Sequence, residues 1–231
     1  MKVNGVDVKR YGGKQLKVER QSQQYICEYE WVDGAAVPHP TDQNTTASLL
    51  SVYMKFKGEE RDEITRNISL FLSLFGGGAE IILDGYKGAF HGYLTASNIK
   101  KTIIKERYTL QIELDGYFYD NEEAEIIDAA EKYIDVAGSR KTPCIITAHA
   151  IKALTNYTIG GAFEDITIET LAAGETIIID GEKGTVTING ENAFETVDLW
   201  TFPVLQPGEN KVTVTDSTIA DVTIAYKPMW L

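Results

Sequence analysis

Residues 174–210 constrain the fold more than any other stretch. They read Gly174-Glu175-Thr176-Ile177-Ile178-Ile179-Asp180-Gly181, then Glu182-Lys183-Gly184-Thr185-Val186-Thr187-Ile188-Asn189-Gly190, and later Phe202-Pro203-Val204-Leu205-Gln206-Pro207-Gly208-Glu209-Asn210. Two short apolar-alternating runs flank an Asp-Gly…Gly turn, and Asn189-Gly190 marks a second turn. A Phe-Pro…Pro-Gly-x-Asn corner then leads into another strand. This is antiparallel β-structure, and it holds no evident catalytic constellation. It points to a scaffold or a binding surface.

The surrounding residues extend the pattern. Strands are predicted at 143–148, 165–169, 175–179, 185–189, 194–200, 210–215 and 221–226. Roughly eight short strands at regular spacing predict a two-sheet sandwich of jelly-roll type. No repeat of fixed period is present, which argues against a solenoid or propeller.

The first half is β-structure with one helix. Val6 and Val8, then Leu16 and Val18, alternate with polar neighbours. Tyr25, Cys27, Tyr29 and Trp31 share one strand face, with Ile26, Glu28 and Glu30 on the other. Residues 33–47 contain Pro38 and Pro40 among small polar residues and read as a long irregular loop. After a strand over 49–56, a helix is predicted over 59–75. Glu59, Glu60, Asp62 and Glu63 crowd its start, where the helix dipole favours negative charge. Ile64, Ile68, Phe71, Leu72 and Phe75 form its apolar stripe, and Gly76-Gly77-Gly78 ends it. Strands follow at 79–83 and 89–95 around a turn at Asp84-Gly85, then a long hairpin over 99–104 and 107–114. The acidic run from Asp120 to Glu125 reads as a solvated connector. The expected domains are therefore 1–132 and 133–231.

At 231 residues the chain can hold one large or two small domains. Its 22 basic and 34 acidic residues give a formal charge of −12. Residues 1–134 hold 16 basic against 21 acidic, and 135–231 hold 6 against 13. No basic stripe is visible along the sequence, which argues against tight sequence-independent binding of nucleic acid. Cys27 and Cys144 are far apart in alternating apolar runs and read as buried free thiols. The N-terminus lacks the apolar core of a signal peptide, and no apolar run approaches the ~20 residues of a membrane helix. The expectation is a chain made and folded in a cytosol without a membrane anchor.

Motifs for chemistry are missing. His39, His91 and His149 are scattered, there is no CxxC pair, and nucleophile-elbow, Walker A and Rossmann patterns are absent. Catalytic, cofactor-binding and metal-ligating residues are therefore expected to be none. Asp180, Glu182, Glu191, Glu195 and Asp198 could supply a carboxylate pair for glycoside hydrolysis, but acidic residues on β-turns usually form turns. Tyr25, Tyr29 and Trp31 are candidates for an interface, since Tyr and Trp bury large areas while keeping a polar tip. Trp200 and Trp230 could stack on sugar rings in a lectin-like sandwich, although their apolar context reads as packing.

Taken in order, these motifs resemble the distal tail protein (Dit) family of siphophages, the siphovirus tail component family. The first-half match is the strand around Tyr53 to Phe56, the acidic-start helix, and Ile82-Leu83-Asp84-Gly85-Tyr86-Lys87-Gly88 leading to Gly92-Tyr93-Leu94. In the second half, Lys141-Thr142-Pro143-Cys144-Ile145-Ile146 resembles the opening of the family's C-terminal sandwich. Ile178-Ile179-Asp180-Gly181, Thr187-Ile188-Asn189-Gly190 and the corner from Phe202 to Asn210 resemble its hairpin and corner.

The resemblance implies a mainly β chain. An N-terminal split-barrel-like domain with one helix would form a ring, and a galectin-like C-terminal sandwich would project outward. It implies a hexameric ring in the virion tail tip, assembled in the host cytoplasm. The partners would be the tail tube protein and a tail-associated hub protein, with DNA passing through the channel without specific binding. No enzyme activity and no cofactor are implied. The alternatives are a carbohydrate-binding sandwich that contacts the host cell wall, a baseplate component of a tail-like bacteriocin, and, third, a polysaccharide-degrading enzyme.

Overall fold

Strict alternation of large apolar residues over Ser48–Lys57 and Arg107–Tyr119 organises the first half of the structure. The structure, a computed structural model, describes residues 1–21, 25–104 and 106–230. The chain divides into two compact units, Met1–Tyr119 and Asp120–Trp230, each with its own core.

In the first unit the elements are β1 (Lys2–Val3), β2 (Val6–Asp7), β3 (Gly13–Gln21), β4 (Tyr25–Glu30), β5 (His39–Thr45), β6 (Ser48–Lys57), α1 (Arg61–Leu72), β7 (Ala79–Ile82), β8 (Ala89–Lys101) and β9 (Arg107–Tyr119). The main antiparallel sheet runs β2-β1-β7-β8-β9-β6-β3. Its central pair, β6 and β9, is in register without a bulge from Ser48↔Gly116 to Lys57↔Arg107. Leu50, Val52, Met54 and Phe56 therefore face the same way as Tyr108, Leu110, Ile112, Leu114 and Phe118, and all are buried.

Helix α1 covers that face. Ile64, Ile68 and Phe71 recur at helical spacing and are fully buried, each contributing about 1.5–3 kcal/mol of burial. The Phe71 ring lies 5.7 Å from Phe56, 5.4 Å from Phe75 and 6.2 Å from Tyr11. At the helix start, the Glu63 carboxylate accepts the Glu59 N–H at 2.9 Å. At its end, a 3-10 turn over Ser73–Phe75 precedes the glycines.

The loop expected over 33–47 is half strand. β5 pairs with β4 from Tyr25↔Thr45 to Glu30↔His39, and the two form a sheet of their own. Pro40 is tolerated because it sits in a two-stranded ribbon, opposite Tyr29 at the register shift between Glu28 and Tyr29.

The second unit contains β10 (Glu123–Ile127), β11 (Glu131–Val136), β12 (Thr142–Ala150), β13 (Leu154–Gly160), β14 (Ile166–Leu171), β15 (Thr176–Asp180), β16 (Thr185–Ile188), β17 (Glu191–Asn192), β18 (Val197–Asp198), β19 (Val204–Leu205), β20 (Gly208–Val214) and β21 (Ala220–Tyr226). One sheet runs β10-β21-β12-β15-β16-β17, with β19 against β12, and the other runs β11-β20-β13-β14-β18. Inward residues of both sheets, among them Ile146, Ile159, Ile168, Ile177, Ile179, Val212 and Ile224, fill the core of this sandwich. The mainly β fold with one helix is the one expected from the sequence.

Two elements differ from expectation. The acidic run is part of an edge strand: β10 pairs with β21 and β11 with β20, so the second unit begins ahead of residue 133. Glu123 and Glu125 give that edge the charge that discourages pairing with other chains. The strand expected over 194–200 is a 3-10 turn, Phe194–Thr196, followed by the two-residue β18. The Thr196 hydroxyl donates to the Ala193 carbonyl at 2.7 Å and closes that turn.

Candidate interface surfaces

The β4–β5 ribbon is the most unusual surface of the first unit. Tyr29 is 58% exposed and Trp31 68%, and Val32 and Val37 beside them are also exposed. Cys27 is half-buried on the same ribbon instead of in a core. The Tyr25 side chain lies outside the described residues. Residues 21–54 contain no Lys or Arg, whereas Glu28, Glu30 and Asp33 are exposed on the ribbon. A lone two-stranded ribbon is marginal in water, so this one presents an acidic and apolar surface with little support of its own.

The outward face of the main sheet carries the opposite charge at one end. Directly paired residues place Lys14, Lys55, Thr109 and Lys100 in a row across β3, β6, β9 and β8. Lys57 and Arg107 form the next pair on the same face. Among the described residues none of these five cations makes an ion pair. Like charges directly opposite across strands repel. Loss of water around the Lys55 ammonium, with repulsion from Arg107, Lys57 and Lys14, holds its pKa below the usual lysine value. The β8–β9 hairpin tip lies at this same end, and Ile103 there is fully exposed, with Ile104 half exposed.

This row corrects the reading that the chain has no basic stripe. Its members are distant in sequence and become neighbours only through strand register. The Lys55-Phe56-Lys57 alternation is the one local trace of it. Charge is also segregated between the units. Residues 1–119 carry 15 basic and 15 acidic residues, whereas 120–231 carry 7 and 19. The whole excess of −12 therefore lies in the second unit.

Of the five acidic candidates in the second unit, Asp180 is committed to a structural role. Asp180 is buried at a turn, where Oδ1 accepts the N–H groups of Glu182 (3.0 Å) and Lys183 (2.9 Å) and Oδ2 meets the Lys183 ammonium at 2.9 Å. Burial pushes the Asp180 carboxyl up, but these hydrogen bonds outweigh it and hold it below the usual carboxylate range. Both oxygens are thus committed to the turn. Asn189 and Gly190 adopt positive φ, 52° and 85°, and join β16 to β17 as the sequence predicts. His149 pairs with Thr176 and His91 stacks on Tyr117. No group of three or more His, Cys, Asp or Glu suited to a metal ion occurs among the described residues.

Trp200 departs from expectation. It is 89% exposed in the bend after β18, whereas Trp230 is 39% exposed and donates to Asp120 at 2.8 Å. Cys144 is fully buried, and burial pushes its thiol up to about 12.

The surfaces are charged and aromatic patches on a mainly β scaffold, with Asp180 tied into a turn. Residues 137–230 match the model of the siphovirus-type tail component, C-terminal domain family. Over its whole length the chain is similar in structure to SPP1 Dit, described as a paradigm of hub adsorption apparatus in Gram-positive infecting phages. The TM-score is 0.74 at 14% identity, covering 100% of this chain and 98% of that one. It is also similar to a chain of the phage P2 baseplate in its activated conformation, with Ca (TM-score 0.55, 12% identity, 95% and 92% covered) and with Sr (TM-score 0.52, 13% identity, 95% and 92% covered). No curated protein matches by sequence. At these identities the likeness shows the fold. The family match concerns residues 137–230, most of the second unit.

Proposed function

We propose that this chain forms a hexameric ring at the virion tail tip, joining the tail tube to the tail-associated hub and adhesion proteins. The first unit builds the ring. Tyr25, Tyr29 and Trp31 lie in contacts between copies. The protein assembles in the host cytoplasm, acts without an enzymatic step, and lets DNA pass through its channel without specific binding.

The observation that carries this reading is the tail-component match of the second unit on a chain whose whole fold is Dit-like. Surface chemistry supports it. A ring needs two different complementary patches on each copy, so that the contact is heterologous and closes on itself. The first unit offers one acidic and apolar patch and one basic patch. No helix among the described residues is long and apolar enough to cross a membrane.

Electron microscopy of virions labelled with an antibody to this chain tests the reading. Label at the tail tip is expected, and label along the tail or on the head overturns it.

Exposure of Trp200 favours a second reading, in which the sandwich stacks a saccharide of the host wall on that indole. Saturable binding of the full chain to cell-wall glycans, abolished by Trp200→Ala, would establish it. Absence of binding removes it.

A further inference from the structure

The hairpin of β8 and β9 ends in an apolar turn. β9 is backed by β6 as far as the Lys57↔Arg107 pair, and the turn lies beyond that last rung. It is closed by its own hydrogen bonds. The Thr102 hydroxyl donates to the Arg107 carbonyl at 2.6 Å, and the Arg107 N–H donates to the Ile104 carbonyl at 3.1 Å. Ile103 stands wholly in water, Ile104 is half exposed, and Ile99 just behind them on β8 is exposed as well. A single exposed isoleucine is ordinary on a protein surface. Two adjacent ones leading a turn at the end of a sheet, with a third behind, form an apolar tip.

Cations surround this tip on both faces of the hairpin. Lys100, opposite Thr109, shares the outward face of the sheet with Arg107 and Lys57. Lys101, opposite buried Tyr108, lies on the other face. Among the described residues none of these four makes an ion pair. Glu106 is the one carboxylate among the described residues of 99–107. Three residues of chain separate Lys100 from Ile103 and Ile104 from Arg107, no more than about 10 Å. The charged heads therefore form a collar just behind the apolar tip, and their stems can lie along it.

We propose that this hairpin tip docks end-on into an anionic phospholipid bilayer. Ile103 and Ile104 enter the boundary between headgroups and acyl chains, and Lys57, Lys100, Lys101 and Arg107 meet lipid phosphates. The two-sided collar favours this occupant. A nucleic-acid backbone would meet the cations from one face and leave the isoleucines in water. A bilayer closes around an inserted tip from every side and takes both groups together. So few apolar residues make no anchor: the contact is peripheral and reversible, and each cation strengthens it about fivefold. The acidic second unit opposes it only within about 8 Å of the lipid, the screening length at physiological salt. Because contact is through the turn, the face of the main sheet and the β4–β5 ribbon stay available to other copies.

The test floats the full-length chain with vesicles of phosphatidylglycerol and phosphatidylcholine in equal parts, and with vesicles of phosphatidylcholine alone. Binding to the anionic vesicles only is expected, reversed at about 1 M salt, where the screening length falls to about 3 Å. Ile103→Ser with Ile104→Ser should weaken binding about tenfold or more, and so should Lys100→Glu with Lys101→Glu. All four positions are exposed, and an unchanged urea midpoint shows that each variant folds; if one variant unfolds, the other decides. Should the native chain ignore anionic vesicles, or bind both kinds equally, the inference is wrong. It is also wrong if either folded variant binds as tightly as the native chain. If the chain binds duplex DNA and no vesicles, and only the Lys100→Glu, Lys101→Glu variant loses that binding, the occupant is nucleic acid and the inference fails. Tail-tip labelling of virions tests the ring reading separately, so failure of one leaves the other standing.

Discussion

Asn210 uses both ends of its amide in the interior of the second unit. Its oxygen accepts the Gln206 N–H at 2.8 Å, and its nitrogen donates to the carbonyls of Gln206 and Gly208 at 2.7 Å each. Asn210→Ala leaves those groups without partners in a buried corner, and should cost about 1–3 kcal/mol in urea unfolding of the full chain. Cysteine chemistry gives a second check at this scale. The Cys144 thiol, pushed up to about 12 by burial, should resist alkylation at about pH 8, while half-buried Cys27 reacts. One label per native chain and two per unfolded chain are expected; rapid native labelling of Cys144 would mean the sandwich core is open. The Asn-Gly and Pro-Gly-x-Asn turns were legible in the sequence because their hydrogen bonds close within a few residues. Trp200 was not. Its alternating neighbours read as a strand, but the 3-10 turn at Phe194–Thr196 cuts that strand to two residues and leaves the indole outside.

Helix α1 was legible from its stripe because every signal for it is local: the acidic first turn, the i, i+4, i+7 spacing and the glycine stop. Its contribution depends on Phe71, which packs among Phe56, Phe75 and Tyr11. Phe71→Ala should destabilise the first unit by about 3–5 kcal/mol, read as a lower unfolding midpoint. The sandwich has an alkaline limit of its own. Burial raises Cys144, Tyr157 and Tyr226 to about 12, above their values in an unfolded chain. The folded sandwich therefore holds protons that the unfolded chain releases first. Stability from these groups is complete below the unfolded thiol and phenol pKa values of about 8.5–10 and is lost as pH rises toward 12. A urea midpoint that falls across that window is expected, and a flat profile would contradict the burial of the three groups. Strand β13 escaped the sequence reading because Asn156 adopts positive φ inside it and breaks the alternation. The basic row escaped because it exists only in the register of four strands.

At the scale of the whole molecule, charge separates with the fold: the first unit balances and the second carries the entire acidic excess. Within the balanced unit charge is uneven again: residues 21–54, which include the β4–β5 ribbon, hold no Lys or Arg, whereas the basic row lies in the main sheet. The sequence showed two β-rich domains but placed their division too late, because an acidic run on an edge strand looks like a solvated connector until its ladder partners are known. The most direct measurement of the central claim is the mass of the full chain in solution across a wide concentration range. Six copies of 25.6 kDa make 153.6 kDa, and a closed species of that mass, dissociated by salt, is the expected result. A chain that stays at 25.6 kDa at every concentration, or that grows into an open series without a closed sixfold species, would contradict it.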